Sequence, residues 1–396
     1  MTVRLRGITW DHSRGFDPLA RNVARFTARH PHIEVEWSRR SLRDFGVQPV
    51  EELAEQFDLL VIDHPFTGRA HALGCLRDLK PLFPAAFHAM LNRESVGPST
   101  RSYDYAGSIY ALPTDAAAQV ASYRPDLLDR LGREAPPRTF AEVLELGHAA
   151  RAAGLWLAMP SCQSDAACLV ATLSANLGHP IQPWSDRLLA PHVFDAVLDY
   201  LRQLAELSHP LSRDWNPIAT YDAMSSGDEI VYVPFAFGYT NYSRQGVAKP
   251  LIYTNIAGPG PDPAAGTILG GAGCAISARC REVEAAVEYL SWVHQPEHQA
   301  GDYYREGGQP GLRSAWLDPE ANADCRNFFT GTLESMDKAY LRPRFDGFIP
   351  AFEHMGELVH EWLKNGGDKA SLIREANDTY ARASEKAARR LLMEKD

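Results

Sequence analysis

The sequence predicts an α/β fold in which helices cover a largely parallel sheet. In the first 62 residues, strand-like runs alternate with amphipathic runs in the order strand, helix, strand, helix, strand. That order is typical of βαβ units. The run FDLLVIDH at 57–64 has a continuous apolar centre, as expected of a strand buried on both faces. The 396 residues suffice for two or three domains, and 45% of them are hydrophobic, which is ordinary for a folded chain.

Residue periodicity defines the individual elements. Leu19, Val23 and Phe26 repeat at helical spacing after Pro18, and IEVEWS alternates apolar and polar residues as a strand does. The predicted N-terminal elements are a strand at 3–10, a helix at 18–30, a strand at 33–38, a helix at 50–57 and the strand at 57–64.

The later elements follow from the same patterns. Thr139 and Glu142 form a capping box at a helix start, and Gly154 is placed to end that helix. The elements predicted beyond the first 64 residues are an extended stretch at 117–125, two helices within 127–154, a helix at 193–207, a strand at 229–239, a glycine-broken strand at 266–277, and helices at 282–294, 351–364 and 368–393.

The composition excludes several classes of protein. A net charge of -10 repels phosphate backbones, so no nucleic-acid partner is expected. No run reaches the roughly 18 apolar residues that a membrane helix needs, so no membrane insertion is expected. None of the six cysteines forms a C-x-x-C pair, and no metal and no cofactor is expected. Reduced thiols fit best, although a Cys162–Cys168 disulfide stays open for an exported chain.

Three stretches, in this order along the chain, carry a resemblance to a known family. They are YALP at 110–113 with ASYRP at 121–125 and PPRTFAEVL at 136–144, then MSSG at 224–227 with VPFAFGY at 233–239, then GPG at 258–260 with GGAGCAIS at 270–277 and EAAVEYLSWV at 284–293. Together they resemble the extracellular solute-binding protein family 1, the sugar receptors of ABC importers.

The resemblance implies a two-lobed, type II periplasmic-binding fold with a central ligand cleft and C-terminal helices. It places lobe 1 at 1–112 and 258–312, lobe 2 at 113–257, and a helical segment that packs on the lobes at 313–396. It also implies a small-molecule ligand, ABC permease subunits as partners, and a periplasmic location. The N-terminus MTVRLRGITWDHSRG lacks the apolar segment of a secretory signal, which instead predicts a cytoplasmic protein as encoded.

Candidate ligand-binding residues follow the first and third predicted strands, because open α/β sheets bind ligands beyond the carboxyl ends of their strands. Aromatic, carboxylate, imidazole and guanidinium groups together suit a polar solute, either hydroxylated or anionic. The alternative is that Asp11 and Asp63 cap the following helices and that His12 is simply exposed. The candidates after these two strands are Trp10, Asp11, His12, Arg14, Asp63, His64 and Phe66.

A second set of candidates comes from the remaining stretches. Aromatic residues in FAFGYTNY suit a cleft lining, and the alternative is a buried strand. Glycines at 270–271 allow close approach of a ligand to the backbone, and the alternative is tight packing or a bulge. The second set is Thr114, Asp115, Gln163, Ser164, Asp165, Phe237, Tyr239, Gly270, Gly271 and Gln309.

Two functions fit these residues. The first is a solute-binding protein that captures a small sugar-like or anionic metabolite between two lobes by hinge closure. The second is a cytoplasmic, cofactor-independent enzyme on the same fold, in which His12, Asp63 and His64 act as acid and base. The E-x-x-H pattern at 357–360 is interpreted as a solvated helix face, because a di-iron bundle needs a second such pair.

Overall fold

The computed structural model describes residues 2–260 and 266–393. Each predicted strand is present within these residues. The strands are Val3–Trp10 (β1), Ile33–Arg40 (β2), Leu59–Ile62 (β3), Asp104–Tyr105 (β4), Ser108–Ile109 (β5), Leu112–Tyr123 (β6), Trp156–Leu157 (β7), Ile230–Phe237 (β8), Ile252–Thr254 (β9) and Leu269–Ile276 (β10).

Helices occupy much of the remaining described chain, and none of them has both the length and the apolar character that a bilayer crossing requires. They are Ser13–Ala20 (α1), Val23–Arg29 (α2), Leu42–Val47 (α3), Val50–Gln56 (α4), Thr67–Leu73 (α5), Ala85–Arg93 (α6), Pro125–Arg130 (α7), Phe140–Ala152 (α8), Gln163–Asn176 (α9), Pro191–Leu207 (α10), Pro217–Ser226 (α11), Val283–Val293 (α12), Pro296–His298 (α13), Arg313–Trp316 (α14), Pro319–Asp324 (α15), Phe328–Asp337 (α16), Phe348–Asn365 (α17) and Lys369–Met393 (α18).

The chain forms two units, each built from several segments. Unit 1 comprises residues 1–117, 239–241 and 270–323, and unit 2 comprises residues 118–238, 242–269 and 324–396. The predicted lobe boundaries after residues 112, 257 and 312 each lie N-terminal to the corresponding crossing, and they stay predictions. The two long C-terminal helices, α17 and α18, belong to unit 2.

Unit 1 contains the predicted βαβ arrangement. Strand β1 pairs in parallel with β2 on one side and with β3 on the other. Strand β10 then adds antiparallel to β3, and the first half of β6 follows. The sheet buries a cluster that includes Leu5, Phe26, Trp37, Leu59 and Tyr289. Because β1 and β3 both run toward the same edge, the residues after them share that edge of the unit.

The predicted helix at 18–30 is wrong in its start and its continuity. The structure has two helices there, α1 and α2, and α1 begins at Ser13. The buried side chain of Asn22 causes the break: its amide donates to the Pro18 carbonyl at 2.8 Å and to the Asp302 carbonyl at 3.3 Å. A side-chain amide that takes a helix carbonyl competes with the backbone ladder.

Unit 2 is built on the second half of β6. Strand β8 and strand β9 pair antiparallel with β6, and β7 pairs in parallel with β8. The predicted capping box at α8 is confirmed, since the Glu142 amide donates to Thr139 Oγ1 at 3.2 Å and the Thr139 amide donates to Glu142 Oε2 at 3.3 Å. Gly154 has a φ of 74°, as its predicted role at the helix end requires.

Helix α9 lies at the centre of unit 2, and every residue from Asp165 to Asn176 in it is buried. Helix α17 packs directly across it. The approach is so close that a Cβ atom at Gly356 would collide with the carbonyl oxygen of Gln163. Glycine at 356 therefore sets the distance between the two helices.

We expect Gly356→Ala to lower the free energy of unfolding by about 1–3 kcal/mol, because the added methyl group meets rigid backbone. Gly46→Ala is the matched control, since Gly46 lies in α3 with nothing within 4 Å of the new Cβ. Alanine there is expected to stabilise by up to about 1 kcal/mol through helix propensity. Urea unfolding followed by circular dichroism measures both, and equal effects of the two substitutions would contradict the packing argument.

Candidate functional site

The loop after β1 is shaped by His12, which is the N-cap of α1. Its Nδ1 accepts a hydrogen bond from the Arg14 amide at 3.0 Å. The alternative in which Asp11 caps this helix is therefore wrong: Asp11 points outward, with 57% of its side chain exposed, and pairs with Arg39 at 3.0 Å. Trp10 is buried, with its ring 5.1 Å from that of Phe45.

Arg14 and Asp115 form a buried ion pair beside this loop. The guanidinium Nε donates to Asp115 Oδ2 at 2.8 Å and Nη2 donates to Oδ1 at 2.5 Å. The two side chains are only 3% and 1% exposed, so the pair is screened from water. The ring of Tyr239 lies 4.5 Å from the guanidinium carbon of Arg14 and 4.9 Å from the ring of His12.

Burial and the ion pair shift the titration of these groups. Burial raises the pKa of the Asp115 carboxyl above its usual value, and the adjacent Arg14 charge opposes that rise. Burial alone would lower the pKa of Arg14, but the Asp115 carboxylate more than offsets it. Burial, assisted by the Arg14 charge, lowers the pKa of His12 to about 4. His12 is therefore neutral at physiological pH, as its role as a hydrogen-bond acceptor requires.

The residues after β3 are mostly turned into unit 1. Asp63 caps the turn that follows, since its Oδ1 accepts from the His64 amide at 2.8 Å, which matches the capping alternative. The same oxygen lies 3.0 Å from His64 Nδ1. His64 and Phe66 are 0% and 4% exposed. The imidazole of His64 thus lies against Asp63 inside the unit and is not exposed to solvent.

Thr114 and Gln309 hold backbone segments of unit 1 together. Gln309 Nε2 donates to the Ala116 carbonyl at 2.8 Å, and Gln309 Oε1 accepts from the Thr240 amide at 3.1 Å. Thr114 Oγ1 donates to the Leu112 carbonyl and lies 3.1 Å from the buried His294. The Gln309 contacts thus connect Ala116, just before the chain leaves unit 1 after residue 117, with Thr240 in the segment 239–241 of the same unit.

The glycines at 270 and 271 lie at the start of β10. Gly271 has a φ of 90°, and a Cβ there would lie 2.5 Å from the carbonyl oxygen of Asp115. Tight packing against the backbone thus explains this glycine, which agrees with the alternative of tight packing or a bulge.

The remaining candidates lie in unit 2, on the first turn of α9 and at the end of β8. Asp165 is 7% exposed, and its Oδ2 accepts from Cys162 Sγ at 3.1 Å. Burial raises the pKa of Asp165 to about 7, although the Cys162 hydrogen bond opposes that rise. Ser164 Oγ donates to Glu353 at 2.6 Å. Phe237 and Gln163 are half-buried.

The structure thus brings together one group of the predicted residues, at the carboxyl end of β1: Trp10, His12, Arg14, Asp115 and Tyr239. Asp11 adjoins this group along the chain, but its carboxylate is exposed and pairs with Arg39, and His64 and Phe66 are buried inside unit 1. Ligand contact by any of the seventeen candidates stays a prediction.

Arg40 is a residue that the sequence analysis missed. It ends β2 and pairs with Trp10 across the β1–β2 ladder. Its side chain is buried. The alternation of apolar and polar residues that predicts the strand ends at Ser38, so it does not predict burial at position 40. Two consecutive arginines at the carboxyl end of a strand are the signal that points to this position.

Within residues 2–260 and 266–393, no group of three His, Cys, Asp or Glu side chains has an arrangement suited to a metal ion. All six cysteines are free thiols, so the Cys162–Cys168 disulfide that was left open does not form in this structure.

We expect Asp115→Asn to lower the free energy of unfolding by about 3–5 kcal/mol, because it leaves the Arg14 charge buried and unpaired. The double variant Arg14→Met/Asp115→Leu is expected to be more stable than Asp115→Asn, since it removes both charges. Glu334→Gln, which breaks the exposed Lys338 pair, is the control and is expected to have a much smaller effect. Urea unfolding measures all three, and a double variant less stable than the single would refute the assignment.

The depressed pKa of His12 makes stability depend on pH. Below pH 6.5 the unfolded chain binds a proton at this residue that the folded chain does not bind until about pH 4. The stability due to neutral His12 is therefore present above pH 6.5 and lost as the pH falls toward 4. His12→Asn keeps a capping oxygen without titrating. We expect its unfolding free energy to fall less steeply between pH 6.5 and 4 than that of the wild type, and an unchanged slope would contradict the shift.

Comparisons with known proteins agree with the fold. MalE3 of T. maritima with maltose bound has a TM-score of 0.82 at 18% identity, covering 97% of this chain and 100% of that chain. A solute-binding protein of Thermotoga lettingae bound with α-D-tagatose has a TM-score of 0.81 at 13% identity, with coverage of 97% and 100%. The sugar-binding protein MalE from Xanthomonas citri has a TM-score of 0.76 at 15% identity, with both chains fully covered. No curated protein sequence matches the chain.

These structural likenesses confirm the predicted fold, the mixed α/β fold of two-lobed periplasmic binding proteins with C-terminal helices. The sequence pattern described as bacterial extracellular solute-binding protein matches residues 22–326, which is more than half of the chain. The expectation of a solute-binding protein is thereby confirmed. The chain belongs to the family of bacterial extracellular solute-binding proteins.

Proposed function

We propose that this protein binds a small hydroxylated solute, a sugar or a polyol, at the carboxyl edge of unit 1 and delivers it to the permease subunits of an ABC transporter. The observation that carries the proposal is the set of polar groups beyond the end of β1 in a chain of the solute-binding family. That edge is where open α/β sheets bind ligands.

The accessible groups at this edge suit hydroxyl ligands. Asp11 and Ser13 are exposed, and His12 and Asn241 are half-buried. The amide of Asn241 donates to Ser13 Oγ at 3.2 Å and to the Gly307 carbonyl at 3.3 Å, which fixes its position. Carboxylate, hydroxyl, imidazole and amide groups can each donate to or accept from sugar hydroxyls.

The charge of Arg14 plays a different part from the one that the sequence suggested. Its guanidinium fork is fully engaged with Asp115, so we assign Arg14 to the shape of the edge rather than to direct pairing with an anionic solute. Enclosure of the solute by hinge closure stays a prediction.

The solved structures with similar folds name candidate ligands. The T. maritima protein binds maltose, and the Thermotoga lettingae protein binds α-D-tagatose. Ribitol is bound by a solute-binding protein of Agrobacterium radiobacter K84, and D-mannitol by one of Agrobacterium vitis S4. These four compounds form a rational first panel for the present protein.

We expect at least one compound of this class to raise the midpoint of thermal unfolding in a concentration-dependent way, because a ligand that binds only the folded state stabilises it. Asp11→Asn is expected to weaken the binding about tenfold or more, since it removes hydrogen bonds to a charged group. Asp186→Asn, an exposed aspartate in unit 2, is the matched control and should leave the affinity unchanged.

Isothermal titration calorimetry then gives the affinities, and chromatography of the released compound shows whether it is chemically unaltered. Equal losses of affinity in both variants would remove Asp11 from the site. Recovery of a converted product would favour the acid–base enzyme instead of the binding protein.

A further inference from the structure

Arg40 is a buried arginine at the carboxyl end of β2, in the edge of unit 1 to which the proposed function assigns the solute. It is 8% exposed. Its partner in the β1–β2 register is Trp10, so the two side chains lie on the same face of the sheet. Phe45 lies over both, with its ring centre 5.1 Å from the Trp10 ring and 5.4 Å from the Arg40 guanidinium carbon.

The hydrogen bonds of Arg40 reach only uncharged acceptors. Nη1 donates to the Asp44 carbonyl at 3.3 Å and to Gln48 Oε1 at 3.4 Å, and Nη2 donates to the Val61 carbonyl at 3.1 Å. The carboxylate of Asp44 binds the Ser41 hydroxyl instead, at 2.7 Å. Among the residues that the structure describes, no ion pair within 4.0 Å joins Arg40 to a carboxylate. Within the described residues, its positive charge is therefore buried without a carboxylate in direct contact, and Asp44 acts on it through space.

Two other buried arginines of the same chain, Arg14 and Arg124, are neutralised through one particular edge of the guanidinium. Arg14 places its Nε and Nη2 on the two oxygens of Asp115, and Arg124 places the same two nitrogens on Asp126, at 2.8 and 2.7 Å. In Arg40 that edge carries no carboxylate, and its buried Nε has no hydrogen-bond partner. This edge has the geometry that binds a carboxylate or phosphate with two parallel bonds.

A second buried donor accompanies it. The indole Nε1 of Trp10 is also buried without an acceptor. Two donors on one face of the sheet, one of them charged, thus have no acceptor among the described protein residues. Buried polar groups are normally paired, so an oxygen-rich group from outside the chain would satisfy both donors.

We propose that Arg40 and Trp10 bind an anionic group of the solute, a carboxylate or a phosphate, so that the protein is a receptor for a sugar acid or a sugar phosphate. The inference rests on the proposed function, and it names the class of solute within it. The half-buried ring of Phe45 packs against both the Trp10 indole and the Arg40 guanidinium, so we assign the entry of the anionic group to a displacement of this ring.

The charge needed for this role is present at neutral pH. Burial lowers the pKa of Arg40 to about 10, and the Asp44 charge opposes that fall. The guanidinium therefore stays protonated under physiological conditions.

The test compares matched pairs of neutral and anionic sugars on the full chain by isothermal titration calorimetry. The pairs are D-glucose with D-glucuronate and D-glucose 6-phosphate, and D-galactose with D-galacturonate. We expect an anionic member to bind at least about tenfold more tightly than its neutral partner. A preference for a uronate identifies a carboxylate solute, and a preference for the phosphate ester identifies a phosphorylated one.

Variants at two neighbouring arginines make the test specific. Arg40→Met is expected to abolish the preference, because it removes both the charge and the donors of the fork. Arg40→Lys keeps the charge and the fold but loses the planar fork, so we expect it to lose most of the preference for the uronate. Arg43→Met, at an exposed arginine on α3, is the matched control and should retain the preference. Circular dichroism checks that each variant is folded.

The outcomes separate this inference from the proposed function. Binding of a neutral sugar with equal or higher affinity than its anionic partner would overturn the inference and leave the proposed function standing. Retention of the preference in Arg40→Met and Arg40→Lys would overturn the role of Arg40. Failure of every sugar, polyol and sugar acid to bind would overturn the proposed function and the inference together.

Discussion

The buried ion pair between Arg14 and Asp115 is the constraint on which the carboxyl edge of unit 1 depends. It joins the first helix of the chain to the long strand β6, across a sequence separation of 101 residues. Tyr239 covers the guanidinium, and Gln309 connects the backbone next to Asp115 with the backbone next to Tyr239. Because a buried charge is tolerated only with its partner in place, these distant segments must be correctly positioned together.

The parts of the fold that the sequence predicts are those governed by local patterns. The parallel pairing of β1 with β2 and β3, the capping box of α8 and the glycine after it all follow from residues close together in the chain. The break between α1 and α2 was not predictable, because it depends on Asn22 reaching Asp302, a partner 280 residues away. Contacts of that range leave no periodic signal in the sequence.

The candidate site shows the same division. The sequence selects the correct edge and residue types, but it assigns their roles imperfectly. His12 rather than Asp11 caps α1, and Arg14 is engaged with Asp115 instead of being available to a solute. Arg40 escaped notice because its interest lies in its surroundings. The sequence can show that an arginine is present, but only the three-dimensional neighbourhood shows that no carboxylate of the described residues forms an ion pair with it.

The close approach of α17 to α9 has a consequence for how this chain can be engineered. Helix α17 packs against a helix that is buried at every residue from Asp165 to Asn176, and α18 packs against α17. Truncating the chain ahead of Phe348 would leave that central helix open to water and remove the Glu353 partner of Ser164. Fusion tags and biosensor insertions therefore belong elsewhere, in exposed loops, and residues 348–393 are best treated as an integral layer of the unit.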